Sequence, residues 1–326
     1  MSAPANNPCD RALAQWSQRW PLDLVDARVR VGVAFSAGAD STALLMAAAS
    51  RWPGRVVALH VHHGLQAAAD HFVAQAQSTC DGLGVELKVV RIKADHSKGE
   101  SPEDAARRAR YLALAEMALE VKAGCVLLGQ HADDQVETFF IALGRGAGLP
   151  GLSAMGAGFT RHGVFFGRPF LGLSTQTLRD SVASVGQAFV EDPSNTDQRF
   201  TRNRIRARLL PAWADTFPGF REAIARTARH AAQAQSLLGD LADIDLDAIG
   251  RPPRIAQLQT LPPERQSNAL RRWLKNTAHV VASDAQMQEL LSQIDACRTR
   301  GHHIHIKVAH GHVEREGAHL AFRPPL

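Results

Sequence analysis

Apolar and polar positions along the first half of the chain alternate between two textures. Val29 to Phe35, Arg55 to Val61, Val85 to Ile92 and Val126 to Leu128 are short, nearly continuous apolar runs, the pattern of strands covered on both faces in a parallel sheet. Between them lie longer stretches with helical spacing: Thr42 to Ser50, Ala67 to Cys80, Ser101 towards Lys122, and Ala132 to Leu143. Ser101 is placed to cap its helix, with Pro102 in the first turn and Glu103 and Asp104 near the positive end. Alternation at this spacing predicts a doubly wound α/β domain with a mostly parallel sheet. Ligands of such sheets bind beyond the carboxyl ends of the strands, so the segments after Phe35, Val61 and Leu128 are expected to converge.

The texture changes downstream. Residues 144–158 are glycine-rich and read as a loop, followed by Arg168-Pro169-Phe170-Leu171 and a helix over Thr175 to Val185. After Pro211 helical patterns dominate to about Ile294, broken at Arg251-Pro252-Pro253 and Pro262-Pro263, and His302 to Phe322 alternates like a small antiparallel hairpin. A boundary near residue 215 is expected, giving domains 1–215 and 216–326, the second smaller, mainly helical and ending in a β-hairpin.

Composition narrows the class. With 326 residues and 45% hydrophobic positions the chain can bury a sizeable core, and 21% charged residues exclude a disordered acidic or basic tail. The net charge of +5 rests mainly on arginine, whose planar fork suits phosphates and stacks on bases. The four cysteines are far apart with no Cys-x-x-Cys pair, which excludes a disulfide framework or a cysteine zinc site. The start has no signal-peptide pattern and no apolar run reaches membrane-spanning length, so a soluble cytoplasmic protein is expected.

The first apolar run ends in Ser36-Ala37-Gly38-Ala39-Asp40-Ser41 and a helix follows. A small-residue turn between a buried strand and a helix offers backbone N–H groups and a positive dipole end to an anion. Asp40 belongs at such a site only if a divalent cation bridges it to phosphate. Gly-Lys-Ser/Thr is absent, which excludes a Walker loop. The stretch resembles the Ser-Gly-Gly-x-Asp-Ser loop of the N-type ATP pyrophosphatases, with Ala37 where glycine is usual; the methyl group is tolerable there if φ is negative.

Further stretches narrow the resemblance: His60-Val61-His62-His63-Gly64-Leu65, Arg107-Arg108-Ala109-Arg110-Tyr111, Gly129-Gln130-His131-Ala132-Asp133-Asp134-Gln135-Val136-Glu137-Thr138, Asp192-Pro193-Ser194-Asn195 and Arg202-Asn203-Arg204-Ile205-Arg206. In this order they resemble the tRNA(Ile)-lysidine synthetases over residues 29–211, in a shorter form without the further C-terminal domain of longer members. The resemblance implies that ATP and Mg²⁺ serve the joining of free L-lysine to C2 of the wobble cytidine of tRNA(Ile) with a CAU anticodon, through an adenylated cytidine. By the same resemblance Asp40, Arg110, Asp134 and Glu137 are catalytic, with Asp40 the metal ligand. Ser36, Ala37, Gly38, Ala39, Asp40, Ser41 and His60 hold ATP, and Arg110, Asp134 and Glu137 hold lysine. Either Asp134 or Asp133 shares a helical face with Glu137, and spacing leaves open which of them faces the site. The arginine-rich stretch 199–229 is expected to meet tRNA, through Arg202, Arg206, Arg226 and Arg229. Two alternatives stay open: another tRNA-modifying enzyme with the same loop, though those using an iron–sulfur cluster need paired cysteines, and a nucleotide-binding module without ligase activity.

Overall fold

A computed structural model describes residues 7–20, 29–62, 69–92, 102–191, 197–299 and 301–324. Ser101, the expected cap, lies outside them. The chain forms two compact units, Met1–Arg229 and His230–Leu326.

The first unit is a six-stranded sheet flanked by helices. Its strands are β1 (Arg30–Ala34), β2 (Val56–His62), β3 (Glu86–Arg91), β4 (Ala123–Leu127), β5 (Gly158–Arg161) and β6 (Val164–Gly167), in the order β3-β2-β1-β4-β6-β5. All neighbouring pairs are parallel except β5 with β6. The alternating helices are α2 (Ala39–Arg51), α3 (Ala69–Leu83), α4 (Pro102–Glu120) and α5 (Ala132–Gly144). Strand order runs outward from β1 through β2 to β3, then jumps to β4 on the other side. The switch point, where a crevice opens at the strand ends, therefore lies between β1 and β4.

Two features departed from the sequence reading. A helix α1 (Pro8–Arg19) precedes the sheet, capped by the Asn7 side chain, which accepts from the Cys9 N–H. Its Leu13 and Trp16 are buried, and the indole N–H donates to the Ala157 carbonyl at 2.8 Å. That indole lies so close over Gly167 that a Cβ there would come within 2.1 Å of it. The second feature is the β5–β6 hairpin, which begins where the expected loop ends and fills a stretch for which no element was expected. His162 (φ 49°) and Gly163 (φ 74°) close it, the two positive-φ residues that a tight hairpin turn demands. The expected glycine-rich loop also contains a short helix α6 (Leu149–Leu152). Helix α7 (Thr175–Ala183) forms where its spacing predicted, capped by Ser174.

The end of this unit carries the arginine-rich stretch. Helix α8 (Thr201–Arg204) passes into a π-helical turn, Ile205–Leu209, and then into α9 (Leu210–Thr216). Pro211 has no N–H to give, and the Leu210 N–H reaches back five residues to the Ile205 carbonyl. The two units divide within α10 (Phe220–Ile249).

The second unit contains the rest of α10 with α11 (Ile255–Leu258), α12 (Pro263–Ala278) and α13 (Asp284–Ala296). The expected hairpin is a three-stranded antiparallel sheet, β7 (His305–Val308), β8 (Gly311–Glu316) and β9 (His319–Arg323). Leu246, Leu258, Leu270, Trp273, Leu290, Ile294, Val313 and Leu320 make its core. No helix among the described residues is long and apolar enough to cross a membrane. All four cysteines are free and buried.

Candidate active site

The loop after β1 is knit by its own hydroxyls. Ser41 Oγ donates to the Gly38 carbonyl at 3.0 Å and accepts from the Ser36 N–H at 3.2 Å. Ser36 Oγ lies 3.1 Å from Ser41 Oγ and accepts from the Gly38 N–H at 3.4 Å. Ala37 has φ +64°, not the negative value that would accommodate its methyl group easily. Its carbonyl is held by the Val190 N–H at 2.9 Å and the residue is buried. The tertiary contact therefore fixes a left-handed residue where only glycine is free of strain, at a cost of about 1–2 kcal/mol.

The loop meets the end of β4 closely. A Cβ on Gly129 would lie 3.1 Å from Asp40 backbone atoms, so a side chain there would press the end of β4 away from the first turn of α2. From there Gln130 and His131 lead into α5, and four acidic or basic groups gather at its start. The His131 N–H donates to Asp134 Oδ2 at 3.1 Å, and its Nε2 lies 3.5 Å from both Asp40 Oδ2 and Asp134 Oδ2. Burial works against a charge on His131, but the Asp40 hydrogen bond and the charges of Asp134, Asp40 and Asp133 outweigh it and raise its pKa.

The two neighbouring aspartates take different partners. Asp133 accepts from Arg221 Nε at 2.6 Å and from the Thr175 N–H and hydroxyl at 2.9 and 3.0 Å. Burial alone would raise its pKa, but these donors lower it. Asp133 thus ties α5 to α7 and α10. Asp134 turns to His131 and the loop. One turn on, Glu137 is fully buried and receives Arg206 Nε at 2.8 Å and Arg206 Nη2 at 2.6 Å on Oε1. Its Oε2 has no hydrogen-bond partner, with Arg202 Nη1 at 3.9 Å. Burial raises the Glu137 pKa, Arg206 opposes the shift, and Asp134 adds to it. Asp40 Oδ1, Thr42 Oγ1 and Thr138 Oγ1 are also buried without hydrogen-bond partners.

The remaining expected residues sort by position. His60 is buried at the end of β2 with Nδ1 donating to the Phe35 carbonyl at 2.8 Å, and burial lowers its pKa. Arg110 is exposed on α4. Arg202, on α8, and Arg206, in the π-turn, both expected to meet tRNA, reach carboxylates of α5: Arg202 Nη1 lies 4.0 Å from Asp134 Oδ1 and Arg206 Nη2 2.6 Å from Glu137 Oε1. Arg226 and Arg229 are exposed three residues apart on α10. His63, Gly64, Leu65 and Asp192 to Asn195 lie outside the described residues. The sequence reading left His131 out of the expected site residues and gave no role to Arg168 or to the Arg221–Asp133 tie. A histidine between the strand-end glycine and two acids was the available signal for the first.

A PP-loop domain family model matches residues 9–213, and a TilS substrate binding domain model matches 254–320. The chain is 58% identical over 292 residues to the tRNA(Ile)-lysidine synthase of Polaromonas naphthalenivorans, covering 90% of this chain and 89% of that one. It is 43% identical over 275 residues to that of Burkholderia pseudomallei, covering 82% of this chain but only 56% of that longer protein. Among solved structures, the U34-tRNA thiolase of Methanococcus maripaludis shares the fold at TM-score 0.57 and 15% identity, over 68% of this chain and 77% of that one. With the loop, the α5 acids and both matched regions in chain order, the chain belongs to the tRNA(Ile)-lysidine synthase family.

Proposed function

We propose that this chain uses ATP to join free lysine to C2 of the wobble cytidine in tRNA(Ile) with a CAU anticodon. The observation that carries the reading is the meeting, at the β1–β4 switch point, of a phosphate-type loop with a buried carboxylate that keeps one oxygen unpartnered. In the first half-reaction the cytidine 2-oxygen attacks the α-phosphorus of ATP, forming the adenylated base and releasing pyrophosphate. In the second an amine of lysine attacks C2, AMP leaves, and the amine gives up a proton.

Backbone N–H groups of the loop and the start of α2 cradle the phosphates, with Ser36 and Ser41 adding hydroxyls. Asp40 Oδ1, buried with no partner, fits one bond to a magnesium ion. When bound, that ion neutralises phosphate charge. His131 keeps Asp40 and Asp134 in register. The free oxygen of Glu137 accepts the side-chain ammonium of lysine, which shares or replaces the Arg206 contact, and the carboxylate of Asp134 accepts the α-ammonium. Burial makes Glu137 a stronger base than an ordinary carboxylate, suited to taking the amine proton. Arg110, exposed on α4, is assigned to the lysine and adenylate by the family resemblance alone. The unit holding residues 254–320, with Arg226 and Arg229, binds the tRNA body.

The test is pyrophosphate release and incorporation of labelled lysine with ATP and tRNA(Ile) of CAU anticodon. Both are expected, with an initiator tRNA(Met) of the same anticodon a poor substrate. Equal rates on the two tRNAs contradict the assigned substrate.

A further inference from the structure

Arg168 follows β6, next to the strand end that carries Gln130 and His131. It is 6% exposed. Its Nε donates to Gln130 Oε1, and its Nη1 donates to the Gly156 carbonyl at 2.8 Å. The guanidinium lies 4.2 Å from the Phe159 ring centre, and the Tyr111 hydroxyl is beside it. Among the described residues no carboxylate comes within ion-pairing distance of it. Asp134 acts on it only from farther away, and Arg107 repels it. A second arginine, Arg161, stands over the Tyr111 ring at 4.9 Å.

A buried guanidinium held only by neutral groups is costly to keep, unlike the closed arginine–aspartate pairs of the second unit. Its planar fork matches a carboxylate bidentately. Asp134 and Arg168 present opposite charges at one corner of the site, and a free amino acid carries the complementary pair in its α-ammonium and α-carboxylate. The surroundings favour a small ligand. A backbone phosphate of a large RNA needs open access, and this group is almost wholly enclosed.

We propose that Arg168 binds the α-carboxylate of free lysine and thereby selects a zwitterionic amino acid over a simple amine. The assignment rests on the proposed lysine ligation and deepens it. Gln130 and Phe159 fix the guanidinium plane, so Arg168 acts by direct contact with substrate.

The experiment compares lysine with lysinamide, whose carboxylate is replaced by a neutral amide, as substrates of the full chain with ATP and tRNA(Ile). The parent is expected to prefer lysine in kcat/KM by roughly 10- to 100-fold, the range of a charge-assisted, bidentate contact. In Arg168→Gln this preference collapses towards unity through a higher lysine KM, while lysinamide kinetics and the KM for ATP stay near parental. Arg168→Lys, which keeps the charge without the fork, gives an intermediate preference and serves if glutamine disturbs packing. Retention of the parental preference in both variants overturns the assignment. So does a raised tRNA KM with unchanged lysine KM, which places an RNA phosphate at Arg168. A parent that consumes lysine on no tRNA overturns the ligation itself, a result distinct from either of these.

Discussion

The two units treat charge in opposite ways. In the second, arginines close on aspartates: Arg265 holds the buried Asp245, Arg272 grips Asp243 through two donors, Arg251 spans Asp243 and Asp247, and Arg271 meets Asp284 at 2.6 Å. In the first, at the carboxyl ends of β1, β4 and β6, buried charge stays incomplete. Glu137 keeps an oxygen without a hydrogen bond, Asp40 keeps another, and Arg168 has no carboxylate among the described residues. Closed pairs hold helices together. Incomplete ones are destabilising on their own and make sense where a charged substrate completes them.

The sharpest break of this contrast is Glu137→Gln. Single-turnover transfer of lysine to adenylated tRNA is expected to fall by roughly 10²- to 10⁴-fold, the usual contribution of a positioned base. Thermal stability should hold, because the substitution removes a buried charge. A lysine transfer rate near parental would mean that Glu137 is packing.

Asp133 sharpens the contrast from within the first unit, since its charge is closed. Asp133→Asn should destabilise the fold by about 2 kcal/mol at neutral pH, through loss of charge-assisted hydrogen bonds. The folded-state pKa of Asp133 is depressed, so its stabilisation is fully present above the ordinary value of 3.8 and lost as pH falls through the lower folded value. Denaturation of parent and variant should differ equally at about pH 6 and about pH 8, both above that range. A gap that closes between them would assign the effect to another group.

In the second unit, Asp245→Asn should lower the melting temperature by several degrees and leave kcat unchanged. A fall in kcat at parental tRNA affinity would contradict a purely structural pair. The smallest effect is expected at the loop. Ala37→Gly relieves a left-handed alanine but adds chain entropy to the unfolded state, so a net gain of at most about 1 kcal/mol should appear in urea unfolding. A clear loss would show that the buried methyl outweighs the strain.

Most of the parallel sheet was legible because strands buried on both faces leave unbroken apolar runs, as in Val29 to Phe35 and Val126 to Leu128. The β5–β6 hairpin was not, because its strands are only four residues long and its turn uses His162-Gly163 instead of an asparagine–glycine pair. Spacing places Asp40 on the loop and Glu137 on one helix face with either Asp133 or Asp134, and the proposed site is built on that reading. Choosing between Asp133 and Asp134 required tertiary partners: Arg221, 88 residues away, claims the first. Arg206 illustrates the same limit. Its run of alternating arginines suggests a solvent or RNA face, and the contact it makes with Glu137 from the π-turn before Pro211 cannot be read from spacing.

In this proposal the incomplete charges at the β1–β4 switch point form an ATP-splitting site. Rapid-quench measurement of AMP from labelled ATP, in the presence of tRNA(Ile) of CAU anticodon and lysine, tests it most directly when the parent is compared with Asp40→Ala at equal folded concentration. The parent should form AMP in step with lysine incorporation, and Asp40→Ala should form none above background while melting at the parental temperature. AMP formation by Asp40→Ala at the parental rate would contradict the account.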